Sequence, residues 1–379
     1  MGTARQVPSM AILDDYLGIA QPHFSQISSD ELSITAFRDA LPAYSHTQTN
    51  DASKQALVDR LKPYTVLSAM RERTPFPGDL LRQLPNLKLI LATGTQFETF
   101  DLDTARELGI AVAAAPGRGR TDGRVSNGPQ RPKLNIKKGG DHPTTQHTWA
   151  LILALARNVA TDDALMKRDG QAWQSQLAIG LGGATIGVVG LGRLGAGVAR
   201  IACLAWGMRV LCWSENLTQD KADEKAEEMG LPIINALGEH TFAAVSKDDL
   251  FQAADVVSLH YVLSERSTGI VGKKELSQMK DSALLVNTSR GPLIDADALH
   301  DALTRGAIRG AAMDVFDVEP LPADSPWRST EWGTGGRSNL VITPHMGYVE
   351  DGIMNTWYEE TAENAERWLQ GQELLHRLV

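Results

Sequence analysis

A chain of 379 residues exceeds what one hydrophobic core usually organises, so two domains are expected. Its 42% hydrophobic and 22% charged residues are those of an ordinary globular enzyme, and a net charge of −9 argues against nucleic acid or an anionic membrane surface as the main partner. No apolar run approaches a membrane span, no signal-peptide core opens the chain, and Gln6 stands where a myristoylation motif needs Ser or Thr, so a cytoplasmic protein is expected.

Residues 9–13 (SMAIL) read as a first strand, closed by Asp14 and Asp15. Val66 to Met70 is another short apolar run, followed by Arg71-Glu72-Arg73. Ligands bind beyond the carboxyl ends of parallel strands, so this charged cluster is either part of a crevice or a solvated loop. Leu87 to Ala92 is a strand leading into Thr93-Gly94-Thr95. A short helix ends over Ala105 to Gly109, and Ile110 to Ala115 is the next strand. This strand–helix rhythm marks an α/β unit, and without a phosphate fingerprint it reads as the substrate side.

The segment 118–143 breaks the rhythm. Seven Lys and Arg stand there against two Asp, with five glycines and few apolar residues. Such a segment buries too little surface to order itself, so a basic, flexible, solvated insertion is expected. A basic lid over an anionic substrate is the alternative, since long loops are often functional.

A helix begins near Thr145, with Trp149, Ile152, Leu153 and Ala156 at helical spacing. The stretch Gly183 to Trp206 (GATIGVVGLGRLGAGVARIACLAW) then moves from an apolar run through Gly190-Leu191-Gly192-Arg193-Leu194-Gly195 into a helix, with Val198, Ile201, Ala202 and Ala205 expected on one face. A strand turning directly into a helix aims N–H groups and a positive dipole end at one point, which suits an anion. In the dinucleotide fingerprint Gly190 makes the tight turn, Gly192 admits the pyrophosphate, and Gly195 lets helix and strand pack closely. Arg193 and Leu194 complete the candidate cofactor-binding turn. The next strand, Met208 to Trp213, satisfies the βαβ context. Cys203 and Cys212 form no metal or redox motif and read as reduced core residues, so no metal is expected.

Further strands are expected at Asp255 to His260, Ala283 to Asn287, Ala311 to Val315 and Val341 to Thr343. Continuous alternation with helices implies a parallel sheet covered on both faces. Three reactive side chains follow these strands: Arg290 in NTSRG, Glu319 in DVFDVEP and His345 in TPHMG. Hydride transfer from an alcohol requires its proton to leave, which a histidine accomplishes near neutral pH. A carboxylate on the far ring nitrogen holds the tautomer, and an arginine polarises a carbonyl or grips a carboxylate.

Taken together, GLGRLG, VNTSRGPLIDADAL, AAMDVFDVEP and ITPHMG resemble the D-isomer-specific 2-hydroxyacid dehydrogenases, the family of D-lactate, glyoxylate/hydroxypyruvate and phosphoglycerate dehydrogenases. The resemblance implies two Rossmann-like α/β domains with doubly wound parallel sheets, the cofactor domain (144–346) inserted into a flavodoxin-like substrate domain (1–117 and 347–379). It implies dimers built on the cofactor domain. It also implies that Arg290 binds the substrate carboxylate and carbonyl, that His345 is the general acid/base, and that Glu319 is its partner. Gly94 and Thr95 are implied to meet the substrate carboxylate through backbone N–H groups. Asp314 is implied to orient the nicotinamide carboxamide, and Thr148 and Thr288 to line the cofactor.

Three departures from the family pattern follow. Where the cofactor acid should end the second strand stands Ser214, with Glu215 next, about 20 residues past the fingerprint. Ser214 would admit a 2′-phosphate, but 214–219 holds no Arg to grip it, so NAD is favoured over NADP. The basic stretch lies where the family runs only a few residues, and PTTQHTW resumes the pattern; a lid, a disordered loop and an intron read through in the gene model stay open. Only 34 residues follow His345, too few for the regulatory domain of feedback-controlled phosphoglycerate dehydrogenase. Formate dehydrogenase, a relative, pairs its histidine with glutamine, against Glu319 here. Two readings result: an NAD(P)-dependent enzyme interconverting a small 2-oxo acid and its (R)-2-hydroxy acid, or a nicotinamide-sensing binding protein like the family's corepressors.

Overall fold

The structure, a computed structural model, describes residues 7–46, 49–124, 142–168 and 173–379. Internal contacts divide these into two units, the first running to Arg124 and resuming at Glu350, the second running from His142 to Val349.

In the first unit, β1 (Ser9–Ile12), β2 (Ser33–Ala36), β3 (Val66–Ala69), β4 (Leu89–Thr93) and β5 (Ala111–Ala115) form a parallel sheet in the order β2-β1-β3-β4-β5. This is the flavodoxin-like order. Helices α1 (Asp51–Leu61), α2 (Gly78–Leu81) and α3 (Leu102–Glu107) make the crossovers. Strands β1, β3, β4 and β5 are nearly all buried, as a sheet covered on both faces requires. Edge strand β2 is mostly exposed and carries no apolar run, so the sequence did not announce it.

The second unit opens with α4 (Pro143–Ala156) and α5 (Val159–Arg168). It continues through β6 (Thr185–Val189), α6 (Arg193–Trp206), β7 (Arg209–Trp213), α7 (Gln219–Glu228), β8 (Phe242–Ala244) and α8 (Lys247–Ala253). Then come β9 (Val256–Leu259), α9 (Lys273–Gln278), β10 (Leu284–Asn287), α10 (Ala296–Thr304), β11 (Gly310–Met313), α11 (Pro326–Ser329) and β12 (Asn339–Ile342). The strands form a seven-stranded parallel sheet, β12-β11-β10-β9-β6-β7-β8. The order reverses between β6 and β9, the switch point beyond whose carboxyl ends a doubly wound sheet binds its ligand. Helices α4, α6 and α7 enclose a core on one face of the sheet, and α8, α9 and α10 enclose another on the opposite face.

The buried face of α6 is Gly195, Ala196, Val198, Ala199 and Ala202. Ile201 is half-buried, and Ala205 is exposed, against expectation. Leu204 beside it is 59% exposed, so the last turn has left the sheet before Gly207, at φ +58, ends the helix.

The chain returns to the first unit as α12 (Asp351–Leu369), packed on β4 and β5. The tail then runs against β5: the Ala114 N–H donates to His376 O (3.0 Å) and the Leu378 N–H to Val112 O (2.7 Å). Helix α12 buries Glu359, Glu360 and Glu363, and buried carboxylates require donors. Residues 117–124 supply them to Glu360 and Glu363. Glu360 accepts the N–H groups of Gly117 (2.8 Å), Arg118 and Gly119 (2.6 Å). Gly117 and Gly119, at φ +84 and +90, turn three successive N–H groups onto one carboxylate. Glu363 accepts the Thr121 N–H (2.8 Å) and hydroxyl (2.5 Å), and Glu366 pairs with Arg120 (2.6 Å) and Arg124 (2.8 Å). Arg118 and residues 121–124 are exposed, as expected of a solvated loop. Arg120 and Arg124 nonetheless pair with Glu366 of α12, and the Arg120 side chain is only 8% exposed. The rest of the expected insertion, 125–141, lies outside the described residues.

Candidate active site

The glycine turn leaves no room for a side chain at two of its three glycines. Gly190 has φ +97, and a Cβ there would stand 2.6 Å from the His260 carbonyl oxygen. A Cβ on Gly195 would stand 2.0 Å from the Gly190 carbonyl oxygen, so only glycine lets α6 start this close to the strand end. A Cβ on Gly192 would meet nothing within 4 Å, and Gly192 and Arg193 are exposed. The chain thus leaves space at Gly192, at an α6 N-terminus that no side chain caps. Open space at an uncapped helix N-terminus suits an anion.

The turn has two walls. On one side Trp213 ends β7 and its carbonyl accepts the Gly190 N–H (2.8 Å), with half-buried Ser214 and exposed Glu215 following. On the other, His260 and Tyr261 follow β9. The Trp213 and Tyr261 rings stack at 5.8 Å, and the Tyr261 hydroxyl accepts the Glu215 N–H at 3.3 Å. The His260 ring meets the Ser258 hydroxyl at 2.8 Å, and burial pushes it down to about 4, so it is neutral at neutral pH. Thr148 of α4 and Thr288 after β10 are buried and join hydroxyl to hydroxyl at 2.7 Å.

Three loops at the same sheet edge carry the reactive groups. A Cβ on Gly291 would lie 2.1 Å from the Phe316 carbonyl carbon, so the Arg290-Gly291 backbone lies against the start of the Glu319 loop. One Glu319 oxygen accepts the Phe316 N–H (2.8 Å), and the other meets His345 Nδ1 at 2.6 Å. His345 packs edge-on to Tyr348 at 5.5 Å and is 13% exposed. Arg290 Nη1 donates to the Ser289 carbonyl oxygen at 2.7 Å. Asp314, which the resemblance sets beside the nicotinamide, has its carboxylate buried, where it accepts the Thr343 hydroxyl (2.6 Å) and the N–H groups of Met346 (2.7 Å) and Gly347 (2.9 Å).

In the first unit, Gly94 follows β4 at φ +74, buried, its N–H on the Ala115 carbonyl oxygen (2.8 Å). The Thr95 N–H meets the side-chain oxygen of its neighbour Gln96 at 3.3 Å. Arg71, at φ +51 after β3, lies over the Trp357 ring (5.8 Å) and pairs with Glu72 (3.2 Å). The charged cluster is thus a half-buried structure at the strand ends. Residues that sequence reasoning passed over, His147, His260 and the Trp213–Tyr261 pair, are adjacent to motif residues, and only adjacency signalled them. Among the described residues no group of three His, Cys, Asp or Glu is placed to hold a metal, and no helix is long and apolar enough to cross a membrane.

Comparison with known proteins agrees with this fold. Residues 149–347 match the model for the NAD binding domain of D-isomer specific 2-hydroxyacid dehydrogenases, and residues 24–122 match that for the catalytic domain. A glyoxylate reductase of Korarchaeum cryptofilum is 30% identical over 325 residues, 84% of each chain. The crystal structure of a phosphoglycerate oxidoreductase from Vibrio cholerae superposes with a TM-score of 0.74 at 30% identity, covering 96% of this chain and 100% of that one. A D-lactate dehydrogenase from Aquifex aeolicus, solved with NAD and lactic acid, gives a TM-score of 0.63 at 25% identity over 96% of each.

Proposed function

Because the chain belongs to the D-isomer specific 2-hydroxyacid dehydrogenase family, we propose that it interconverts a 2-oxo acid and the matching (R)-2-hydroxy acid, with His345 as the general acid/base. The observation that carries this reading is the 2.6 Å bond between His345 Nδ1 and Glu319. With Nδ1 committed to a carboxylate, Nε2 is the atom that gives or takes the proton. Glu319 cannot swing away, since the Phe316 N–H holds its other oxygen.

A bound nicotinamide dinucleotide supplies or accepts the hydride. The turn Gly190, Gly192, Arg193, Leu194 and Gly195 would hold its pyrophosphate, Ser214 and Glu215 its adenosine ribose, and Thr148 and Thr288 its nicotinamide half. NAD is the proposed form, because Glu215 offers a carboxylate to a ribose hydroxyl and repels a 2′-phosphate. Arg290 grips the substrate carboxylate and polarises the carbonyl. Relatives named glyoxylate reductase and hydroxypyruvate reductase support a short 2-oxo acid as the substrate. The working form is a homodimer joined through the second unit.

The test is a panel of short 2-oxo acids, each assayed with NADH and with NADPH. At least one acid is expected to oxidise NADH, with NADPH the poorer donor. His345→Ala is expected to lower kcat by about 10²- to 10⁴-fold while cofactor affinity is retained. Native turnover in that variant would remove His345 from the chemistry. Failure of every acid with both cofactors would leave the nicotinamide-sensing class.

A further inference from the structure

His147 lies on α4 one residue before Thr148, and the reaction as proposed gives it no role. Its Nε2 stands 3.1 Å from Asp314 Oδ1 and 3.1 Å from Thr343 Oγ1. The ring is 19% exposed and the Asp314 side chain 1%. Burial pushes the Asp314 carboxyl up, but hydrogen bonds from His147, Thr343 and Met346 outweigh it and hold the group below its ordinary value. An ionised carboxylate only accepts, so Nε2 of His147 carries a proton and donates it.

The other donors to this carboxylate surround His345 in sequence. Thr343 lies two residues before it, and Met346 and Gly347 follow it. The His345 N–H itself donates to the Asp314 carbonyl oxygen at 2.8 Å. His345 has φ +55, a left-handed backbone that costs a non-glycine residue about 1–2 kcal/mol and persists only where its surroundings fix it. Here one buried carboxylate fixes it from both sides, and His147 joins that carboxylate to α4, a helix anchored in the core by Trp149, Ile152 and Leu155.

We propose that His147 is a positioning residue: through Asp314 it locks the turn 343–347 that aims the His345 ring at the reacting centre. This rests on the reading of His345 as the acid/base. Without the His147 donor, Asp314 keeps the turn but loses its tie to α4, and the ring gains freedom about the Glu319 bond. Misplacement of that order costs about 10- to 100-fold in turnover.

The experiment compares His147→Leu, which removes the donor, with His147→Gln, whose amide returns one. Kinetics are read at saturating cofactor, cofactor affinity by titration of protein fluorescence, and the His345–Glu319 bond by the low-field imidazole proton in NMR spectra of the free protein. The leucine variant is expected to lose about 10- to 100-fold in kcat with cofactor affinity kept, and to lose or broaden the low-field proton; the glutamine variant is expected to recover most of both. Native kcat and an unchanged proton signal in His147→Leu would overturn the inference, as would a glutamine variant no better than leucine. Should His147→Leu not fold, His147→Asn, whose shorter amide falls short of Asp314, takes its place. His345→Ala run alongside separates the two failures: an active His345→Ala defeats the acid/base reading, whereas an inactive one beside a native-like His147→Leu defeats only the positioning role.

Discussion

Asp14, two residues past β1, has left-handed backbone, φ +59; the residue is 4% exposed and its carboxyl is bonded by the Thr74 hydroxyl at 2.9 Å. Burial is the largest influence and raises it from 3.8 to about 6, against the bond from Thr74 and the charge of Arg73. A carboxyl raised on folding is bound more tightly to its proton in the folded chain. Its contribution to stability is therefore complete below about 3.8 and is lost as pH rises through about 6. Asn keeps an oxygen for Thr74, tolerates the left-handed backbone and never ionises. Asp14→Asn is expected to stabilise the protein by up to about 3 kcal/mol at pH 8, the gain shrinking toward zero as pH falls below 4. Chemical denaturation of both proteins across that range checks it, and a gain independent of pH would mean the native carboxyl is not raised. Nothing in the sequence near Asp14 foretells this, because its environment comes from Thr74, 60 residues on. His147 is hidden for the same reason, its partner Asp314 lying 167 residues away. The Glu319–His345 pairing was legible because each residue follows a strand within a motif whose residue types suit one reaction.

At the scale of elements, the glycine turn separates stability from binding. Gly192→Ala adds a methyl group that meets no protein atom, at an ordinary φ of −79. Its thermal midpoint is expected to match the native protein, while NADH affinity falls at least about tenfold because the methyl occupies the pyrophosphate's approach. Gly195→Ala puts its methyl 2.0 Å from the Gly190 carbonyl oxygen and must push α6 away, so midpoint and affinity should both fall. Fluorescence titration and calorimetry on the two variants decide; native affinity in Gly192→Ala would mean that no anion lies against that residue. The interior strands were readable as apolar runs because both their faces are covered. Strands β2 and β8 were not, since one is mostly exposed and the other is three residues long. The anchoring of residues 117–121 on α12 was not legible, for a different reason. Composition measures what a segment buries by itself, and it is silent on carboxylates supplied by α12, some 240 residues later.

At the scale of the molecule, alternation of strand and helix sufficed to indicate two parallel α/β sheets. Strand order did not follow from it: nothing local in β12 or β2 says which neighbour it pairs with, and the insertion of one unit into the other came from the family resemblance. The surface carries one more consequence. On the second unit Trp173 is 75% exposed, Leu177 88%, Leu204 59% and Val159 56%. Leu177 stands on anchored backbone, for the Arg309 guanidinium holds its carbonyl oxygen and the Asn158 amide holds that of Gln176 at 3.2 Å. Large apolar side chains fixed in place and left to water favour a partner surface, and a closed two-fold dimer is the commonest way a chain provides one. Light scattering on the native protein is expected to give twice the 41.1 kDa of one chain. Trp173→Asp combined with Leu177→Asp should shift the equilibrium to the single chain while each chain still binds NADH, because neither position belongs to the glycine turn or its walls. A native protein that stays at one chain's mass at high concentration, or a double variant that stays dimeric, would move the interface elsewhere or remove it.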